Sequence, residues 1–170
     1  CTIQWAVGLE LALLSKDLMR TFVSTDHPNA GPFTRYPRVI TWLMSRAARD
    51  ATMKTFKWLE KTIDATSIDS IDRELDLYEI AQMTRAGPAK ALGISNTYGG
   101  LAPGMDADIA IYPLNPEKMP SDPAEIEKAF SRCAWLLKDG VVTVRDGEVL
   151  TEPAKRTVWV DVKVRSEERR

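Results

Sequence analysis

Apolar residues at the start of the chain recur at helical spacing, with Trp5, Leu9, Ala12 and Leu13 on one face. Val7, Leu11 and Leu14 fill the other side, which predicts a well-buried helix ending near Lys16-Asp17. Arg20 to Thr25 is then a short β-type run. It gives way to Asp26-His27-Pro28-Asn29-Ala30-Gly31-Pro32, a stretch whose prolines and glycine make it a loop. From Arg38 the helical period resumes, with Ile40, Leu43, Met44, Ala47 and Ala51 on one face and Phe56, Leu59 and Ile63 extending it. A polar stretch from Asp64 to Arg73 separates this from a helix in which Leu77, Ile80, Ala81 and Thr84 share a face. Gly87-Pro88 is expected to break that helix, and Pro88 to start a short one that Gly93 closes.

After Tyr98-Gly99-Gly100 the period changes from helical to alternating. Asp108 to Tyr112, Ala134 to Leu137, Val141 to Val144 and Thr157 to Val162 read as strands. Asp139-Gly140 and Asp146-Gly147 are the dipeptides of tight hairpins. The pattern therefore predicts an α/β chain: helix, strand and helices first, then mostly sheet, with a boundary near Ser95 to Leu101. No internal repeat or low-complexity tract interrupts it.

Composition narrows the classes. Lys and Arg number 23 against 24 Asp and Glu, for a net charge of −1, and the pI is near 5.9. That balance argues against a nucleic-acid binder, which carries a basic stripe or patch. The local gathering of Arg46, Arg49 and Lys54 reads as a solvated helix face. The mixed-charge tail Arg165 to Arg170 is expected to fray. Two cysteines, Cys1 and Cys133, sit in no metal-like spacing, and Cys133 reads as a reduced core residue. No apolar run is long enough for a bilayer and no signal peptide is visible, so a reducing, cytoplasmic setting is the expectation. The first residue is Cys rather than Met and the chain opens directly into a helix. A start inside a longer protein is expected from this.

Candidate chemistry concentrates in Thr25-Asp26-His27-Pro28-Asn29. A carboxylate at the C-terminal end of a strand that follows a helix is where α/β barrels keep catalytic groups. Beside an imidazole it could bind a metal or move a proton. The competing reading makes Asp26 a turn former or cap and His27 merely hydrogen-bonded. Downstream, Gly31 to Pro37 sets Arg35 between aromatic residues. Its planar fork could clamp a carboxylate, or it could hold loop carbonyls. The glycines near residue 100 match no phosphate-binding motif, and a chain with one histidine makes no credible Ser/His/Asp set. The tryptophans Trp5, Trp42, Trp58, Trp135 and Trp159 fall mostly on apolar faces and read as core packing.

Taken in order, several segments resemble the amidohydrolase superfamily. Ser24-Thr25-Asp26-His27-Pro28 resembles the end of its eighth barrel strand. Met83 to Gly93 (MTRAGPAKALG) resembles its next helix, of the form "T…PA…LG". Gly100 to Tyr112 (GLAPGMDADIAIY) resembles the "G.I..G..AD" lead-in to its small β domain, and Lys138 to Gly147 its closing hairpin. More narrowly, Gln4 to Leu11 and Thr25 to Pro37 (TDHPNAGPFTRYP) are similar to the A subunits of formylmethanofuran dehydrogenases. They are also similar to the related subunit of formyltransferase/hydrolase complexes.

The resemblance implies that residues 1–98 are the C-terminal part of a (β/α) barrel. It implies that residues 99–170 are strands of a small composite β-sandwich domain. It also implies a role in one-carbon metabolism and methanogenesis: a dinuclear zinc centre at which formate is joined to, or hydrolysed from, the amine of a small C1 carrier. Partner subunits of the complex would handle the redox step. Asp26 would be the strand-eight aspartate, a metal ligand that also manages the proton of the attacking water. His27, Asn29 and Arg35 would contact substrate. The His-x-His pair, bridging lysine and later histidines of the superfamily are not in this sequence, and a barrel takes about 250 residues. The chain alone is therefore expected to be inactive. Two alternatives are a cyclic-amide hydrolase of the hydantoinase or dihydroorotase kind, against which the GPFTRYP loop speaks, and a non-catalytic assembly module.

Overall fold

A computed structural model of the chain describes residues 2–29, 31–57, 59–153 and 156–160. The expectations for Cys1, Ala30, Trp58, the tail Arg165–Arg170 and the end of the Thr157–Val162 strand lie outside the described residues. Helix α1 spans Thr2–Leu14 and buries Ala6, Leu9, Ala12 and Leu13. Its other face, with Val7, Leu11 and Leu14, is open among the described residues, so the helix is buried on one side rather than all round. Trp5 packs edge-on against Trp42 at 5.5 Å and Phe56 at 5.0 Å, as its apolar position predicts.

The run read as a strand from Arg20 is different. Leu18–Arg20 is a 3-10 turn capped by Asp17, and residues 21–26 pair with no strand among the described residues. Burial nevertheless alternates: Thr21, Val23 and Thr25 are half-buried, whereas Phe22, Ser24 and Asp26 are exposed. The period-two signal is real, but a strand also needs a partner whose carbonyls and amides complete its ladder.

The long helix predicted from Arg38 is three helices, α2 (Tyr36–Met44), α3 (Arg46–Met53) and α4 (Leu59–Ile63). The break falls at Ser45, which leaves the helical region and caps α3 by accepting from the Ala48 amide at 3.2 Å. The break shifts the helical phase. Ile40 and Leu43 are buried as expected, but Ala47 and Ala51 are exposed and Ala48, Arg49 and Met53 take their place. Ile63 is likewise exposed, and Thr62 is buried.

The solvated-face reading of Arg46 and Arg49 is overturned. Arg49 is 0% exposed, and its guanidinium donates to the carbonyls of Trp42, Ile71 and Arg73 at 2.8–3.0 Å. Burial pushes its pKa down; nearby Glu74 opposes this, and the neighbouring Arg46 adds to it. The group stays charged, as arginines in proteins do. Arg46 reaches Asp72 and the Asp69 carbonyl, and Arg73 donates to the carbonyls of Leu13 and Ser15 at 2.7 and 2.8 Å. The segment at 68–76 is an irregular strap whose carbonyls need donors, and arginines supply them.

Helix α5 (Leu77–Ala81) opens on a capping box between Asp76 and Glu79. Gly87-Pro88 does not break the helical path. A π-turn at Gln82–Ala86 carries the helix without interruption into α6 (Gly87–Ala91). Pro88 has no amide to donate and crowds the preceding turn, and the wider π-turn accommodates it. Gly93 ends α6 at φ 72°, with Gly93 donating to Lys90 at 3.1 Å and Ile94 to Ala89 at 2.9 Å. That is a Schellman stop at the predicted glycine.

The last third is an antiparallel meander of β1 (Ile109–Ile111), β2 (Trp135–Lys138), β3 (Val141–Arg145) and β4 (Glu148–Val149). Both Asp-Gly pairs have positive φ, as two-residue hairpin turns require. Residues 157–160 form no strand, and Trp159 is 90% exposed rather than in a core. Between β1 and β2 stands α7 (Pro123–Ser131), capped by Asp122. Its Ile126 and Ala129 are buried, and it packs on α2. Asp-Pro ahead of Glu125 is a helix-start signal.

Arg49→Leu keeps bulk but leaves three carbonyls without their donor. Unfolding in urea is expected to show a loss of about 3 kcal/mol. A loss below about 1 kcal/mol would mean that water replaces the guanidinium.

Candidate functional site

The loop with the candidate residues begins where the alternating segment ends. Asp26 is exposed, its carbonyl accepts from the Gly31 amide at 3.2 Å, and its Oδ1 accepts from Asn29 Nδ2 at 3.4 Å. The His27–Pro28 peptide is cis. The His27 ring meets Phe33 edge-on, with centroids 4.6 Å apart. Phe33–Arg35 forms a 3-10 turn that runs into α2, with Pro37 in the first helical turn. The structure thus brings Asp26, His27 and Asn29 into one closed turn. Arg35 stands apart from them at the end of the next turn, exposed to solvent.

The turn supports both readings of Asp26. Its carbonyl and Oδ1 hold the loop, which is turn-forming work. Its exposed carboxylate can also accept a proton or ligate a cation. Zinc takes about four ligands from nitrogen, sulfur or carboxylate oxygen. Among the described residues no group of three or more His, Cys, Asp or Glu side chains gathers closely enough to hold a metal. The described residues by themselves do not complete a zinc site. Cys133 is a half-buried free thiol remote from this loop in sequence. No helix of the described residues is long and apolar enough to cross a membrane.

A second charged cluster, passed over in the sequence, ties the sheet to the end of the helical part. Lys138 pairs with Asp108, and the Asp139 amide donates to Asp108 Oδ1 at 2.9 Å. Arg156 reaches Asp106 at 3.0 Å and Asp139 at 3.6 Å. Lys138 and Arg156 both lie against the Tyr98 ring, at 5.3 and 5.6 Å. Partial burial raises the Asp108 pKa, but hydrogen bonds from Lys138 and the Asp139 amide outweigh it and hold the carboxyl below its ordinary value. The bond to Asp108 holds the Lys138 ammonium above its own, against partial burial. The acidic residue of the Ala107-Asp108 motif is therefore a structural latch. A signal for it exists in the sequence: an Asp beside a strand, and a Lys-Asp-Gly turn to receive it.

Comparison with known proteins agrees with this architecture. The profile of the Amidohydrolase family matches residues 5–151. Protein FwdA of Methanocaldococcus jannaschii is 49% identical over 164 residues, which is 95% of this chain and 28% of that protein. The A subunit of the Formyltransferase/hydrolase complex Fhc of Methylorubrum extorquens is 42% identical over 161 residues, 95% of this chain and 27% of that protein. A crystal structure of the formyltransferase/hydrolase complex FhcABCD from Methylorubrum extorquens, with methylofuran bound, superposes with a TM-score of 0.82 at 40% identity. It covers 98% of this chain and 29% of that one. The chain thus spans a little over a quarter of the length of these relatives.

The latch has a pH signature. Asp108 is depressed, so its contribution is complete above its unfolded pKa of about 3.9 and is lost as pH falls through the lower folded value. Lys138 is raised, so its contribution is complete below about pH 10.4 and is lost as pH rises through the higher folded value. Asp108→Asn should lower the melting temperature at neutral pH, with the gap from the parent closing on acidification. A gap independent of pH would show that the carboxylate charge is not what holds the hairpin.

Proposed function

The chain belongs to the amidohydrolase family, and from that membership we propose that it is the C-terminal part of a formylmethanofuran dehydrogenase-type A subunit. In this reading residues 1–98 close a (β/α) barrel and residues 99–170 belong to a small composite β-sandwich domain. The alternating segment at 21–26 is the last barrel strand, laddered by strands from outside this chain. Its half-buried Val23 already packs against the core that α1 and α2 share. The reaction is formation or hydrolysis of the C–N bond between a formyl group and the amine of a C1 carrier, in one-carbon metabolism. Other subunits of a formylmethanofuran dehydrogenase or formyltransferase/hydrolase complex are its partners. The observation that carries the reading is the likeness, over nearly the whole chain, to part of a complex solved with methylofuran.

Asp26 is the residue of this chain assigned to the chemistry. In the hydrolytic direction a water oxygen bonds to the formyl carbon as the C–N bond breaks. The Asp26 carboxylate takes one proton from that water and returns it to the departing amine nitrogen, leaving the free amine and formic acid, which ionises to formate by releasing the second proton to solvent. Were zinc bound, ligands from outside this chain would hold most of it with Asp26 adding one, and it would supply polarisation of the formyl carbonyl. His27, Asn29 and Arg35 contact the carrier at the mouth of the loop. The chain by itself lacks the rest of the centre and is inactive.

The Asn29 and Gly31 bonds favour one second reading, in which Asp26 only shapes the turn. Asp26→Asn in the full-length protein, assembled with its partners, separates the two. It keeps an acceptor for both bonds but cannot carry the proton. Hydrolysis of the formylated carrier is expected to fall by about 10²- to 10⁴-fold with the complex intact. A fall of less than about tenfold assigns Asp26 to the turn alone.

A further inference from the structure

The π-turn that succeeds α5 sits directly under the segment that leads to Asp26. Its closing bond runs from the Gly87 amide to the Gln82 carbonyl. Gly87 has φ −60° and ψ −55°, an ordinary helical conformation that any residue adopts. Backbone freedom is therefore not why glycine stands there. Space is the reason: a Cβ at Gly87 would lie 2.9 Å from Gln82 O, 2.9 Å from Phe22 Cε1 and 3.1 Å from Met19 O. Two of those three atoms are backbone carbonyls, which cannot rotate aside as a side chain would.

The stretch pressed by such a Cβ is held firmly at its upstream end. Leu18 is buried in the core, and the Met19 amide donates to Asp17 Oδ1 at 3.1 Å. Thr21 Oγ1 and Ser15 Oγ share a hydrogen bond of 2.7 Å. A displacement at Met19–Phe22 therefore passes onward, toward Val23 and Asp26. Phe22 and Asp26 share a phase in the alternating segment, about 13 Å apart at the rise of an extended chain. Wide helical turns of this kind occur disproportionately beside functional sites.

We propose that Gly87 is a positioning residue: its bare Cα lets the π-turn seat the Met19–Phe22 stretch, and through that stretch it sets where the Asp26 carboxylate stands. The proposal rests on the role for Asp26 given above. Misplacing a reacting group by a fraction of an ångström to an ångström lowers turnover more than binding.

The test is Gly87→Ala in the full-length protein with its partners. Lys90→Gly serves as comparison, because it weakens the same helix at an exposed position without touching the stretch. The expected result is a kcat about 10- to 100-fold lower for Gly87→Ala. KM should stay within about twofold, and Lys90→Gly should leave kcat unchanged. Unaltered kcat in Gly87→Ala, or an equal loss in Lys90→Gly, overturns the proposal. If Gly87→Ala does not fold, Phe22→Trp presses on the same contact from the other side; the same selective fall in kcat is expected, and a normal kcat overturns it. A crystal structure of the variant that folds separates this proposal from the role of Asp26. Residues 19–26 should be displaced relative to α1 and α2. A superimposable segment sinks the positioning proposal even where Asp26→Asn is inactive, whereas a displaced segment with an active Asp26→Asn sinks only the catalytic role.

Discussion

Donation from guanidinium groups, that of Arg49 buried and that of Arg73 half-buried, to main-chain carbonyls is the interaction on which the rest of the helical part depends. Arg49 has no counter-ion in hydrogen-bond contact among the described residues; it is buried against the carbonyls of Trp42, Ile71 and Arg73. Arg73 reaches the Leu13 carbonyl in the last turn of α1, which a helix end leaves without an internal partner, and the Ser15 carbonyl just beyond the helix. The Leu75 amide adds a bond to the Leu43 carbonyl at 2.9 Å. These bonds fasten one irregular strap to the ends of α1 and α2. Without the donors, the strap's carbonyls would be desolvated and unpaired, a cost that packing by Ile68, Ile71 and Leu75 would have to offset.

The candidate site hangs from this frame. The end of α1 that Arg73 holds is the point from which the chain turns through Leu18–Arg20 into the segment ending at Asp26. The π-turn and Gly87 bear on that same passage from below. Two independent supports therefore converge on a few residues that precede an exposed carboxylate. The loop beyond it is shaped locally, by the Asp26 carbonyl, the Asn29 amide and the His27–Phe33 contact. Scaffold and loop do different jobs: the first fixes the height of Asp26, and the second fixes its orientation.

The sheet is joined to the helices in two ways of different physical character. Helix α7 docks Ile126 and Ala129 against the helical layer, and Phe130 meets Tyr112, the residue after β1, at 5.1 Å. This is apolar and insensitive to charge. The Asp108–Lys138 latch and the cations against Tyr98 work through charge at a half-exposed seam. The apolar contact supplies adhesion, and the charged one fixes how the first hairpin turn meets the stretch just before β1.

Local chemistry was legible in the residues themselves. The Asp-Gly turns, the Gly93 stop, the loop at Asp26 to Pro32 and the buried face of α1 all follow from backbone conformation or helical spacing within a few positions. The order of the family's short motifs likewise identified the family, because each motif answers to a turn or a helix start. Pattern alone failed wherever the outcome depended on residues far away in the chain. The spacing at Arg46 and Arg49 looks like a solvated face until the strap at 68–76 arrives with carbonyls to fill. Ser45 reads as one more helical residue until it leaves the helix and shifts the burial phase after it. Gly87-Pro88 reads as a break until a π-turn absorbs the proline against the Met19–Phe22 stretch. Periodicity along the chain encodes which way a side chain points, and so the sequence by itself determined the first helix, the Asp-Gly hairpins and the loop with the acid. Only the tertiary structure decided which polar groups lost their water, because desolvation is a property of neighbours.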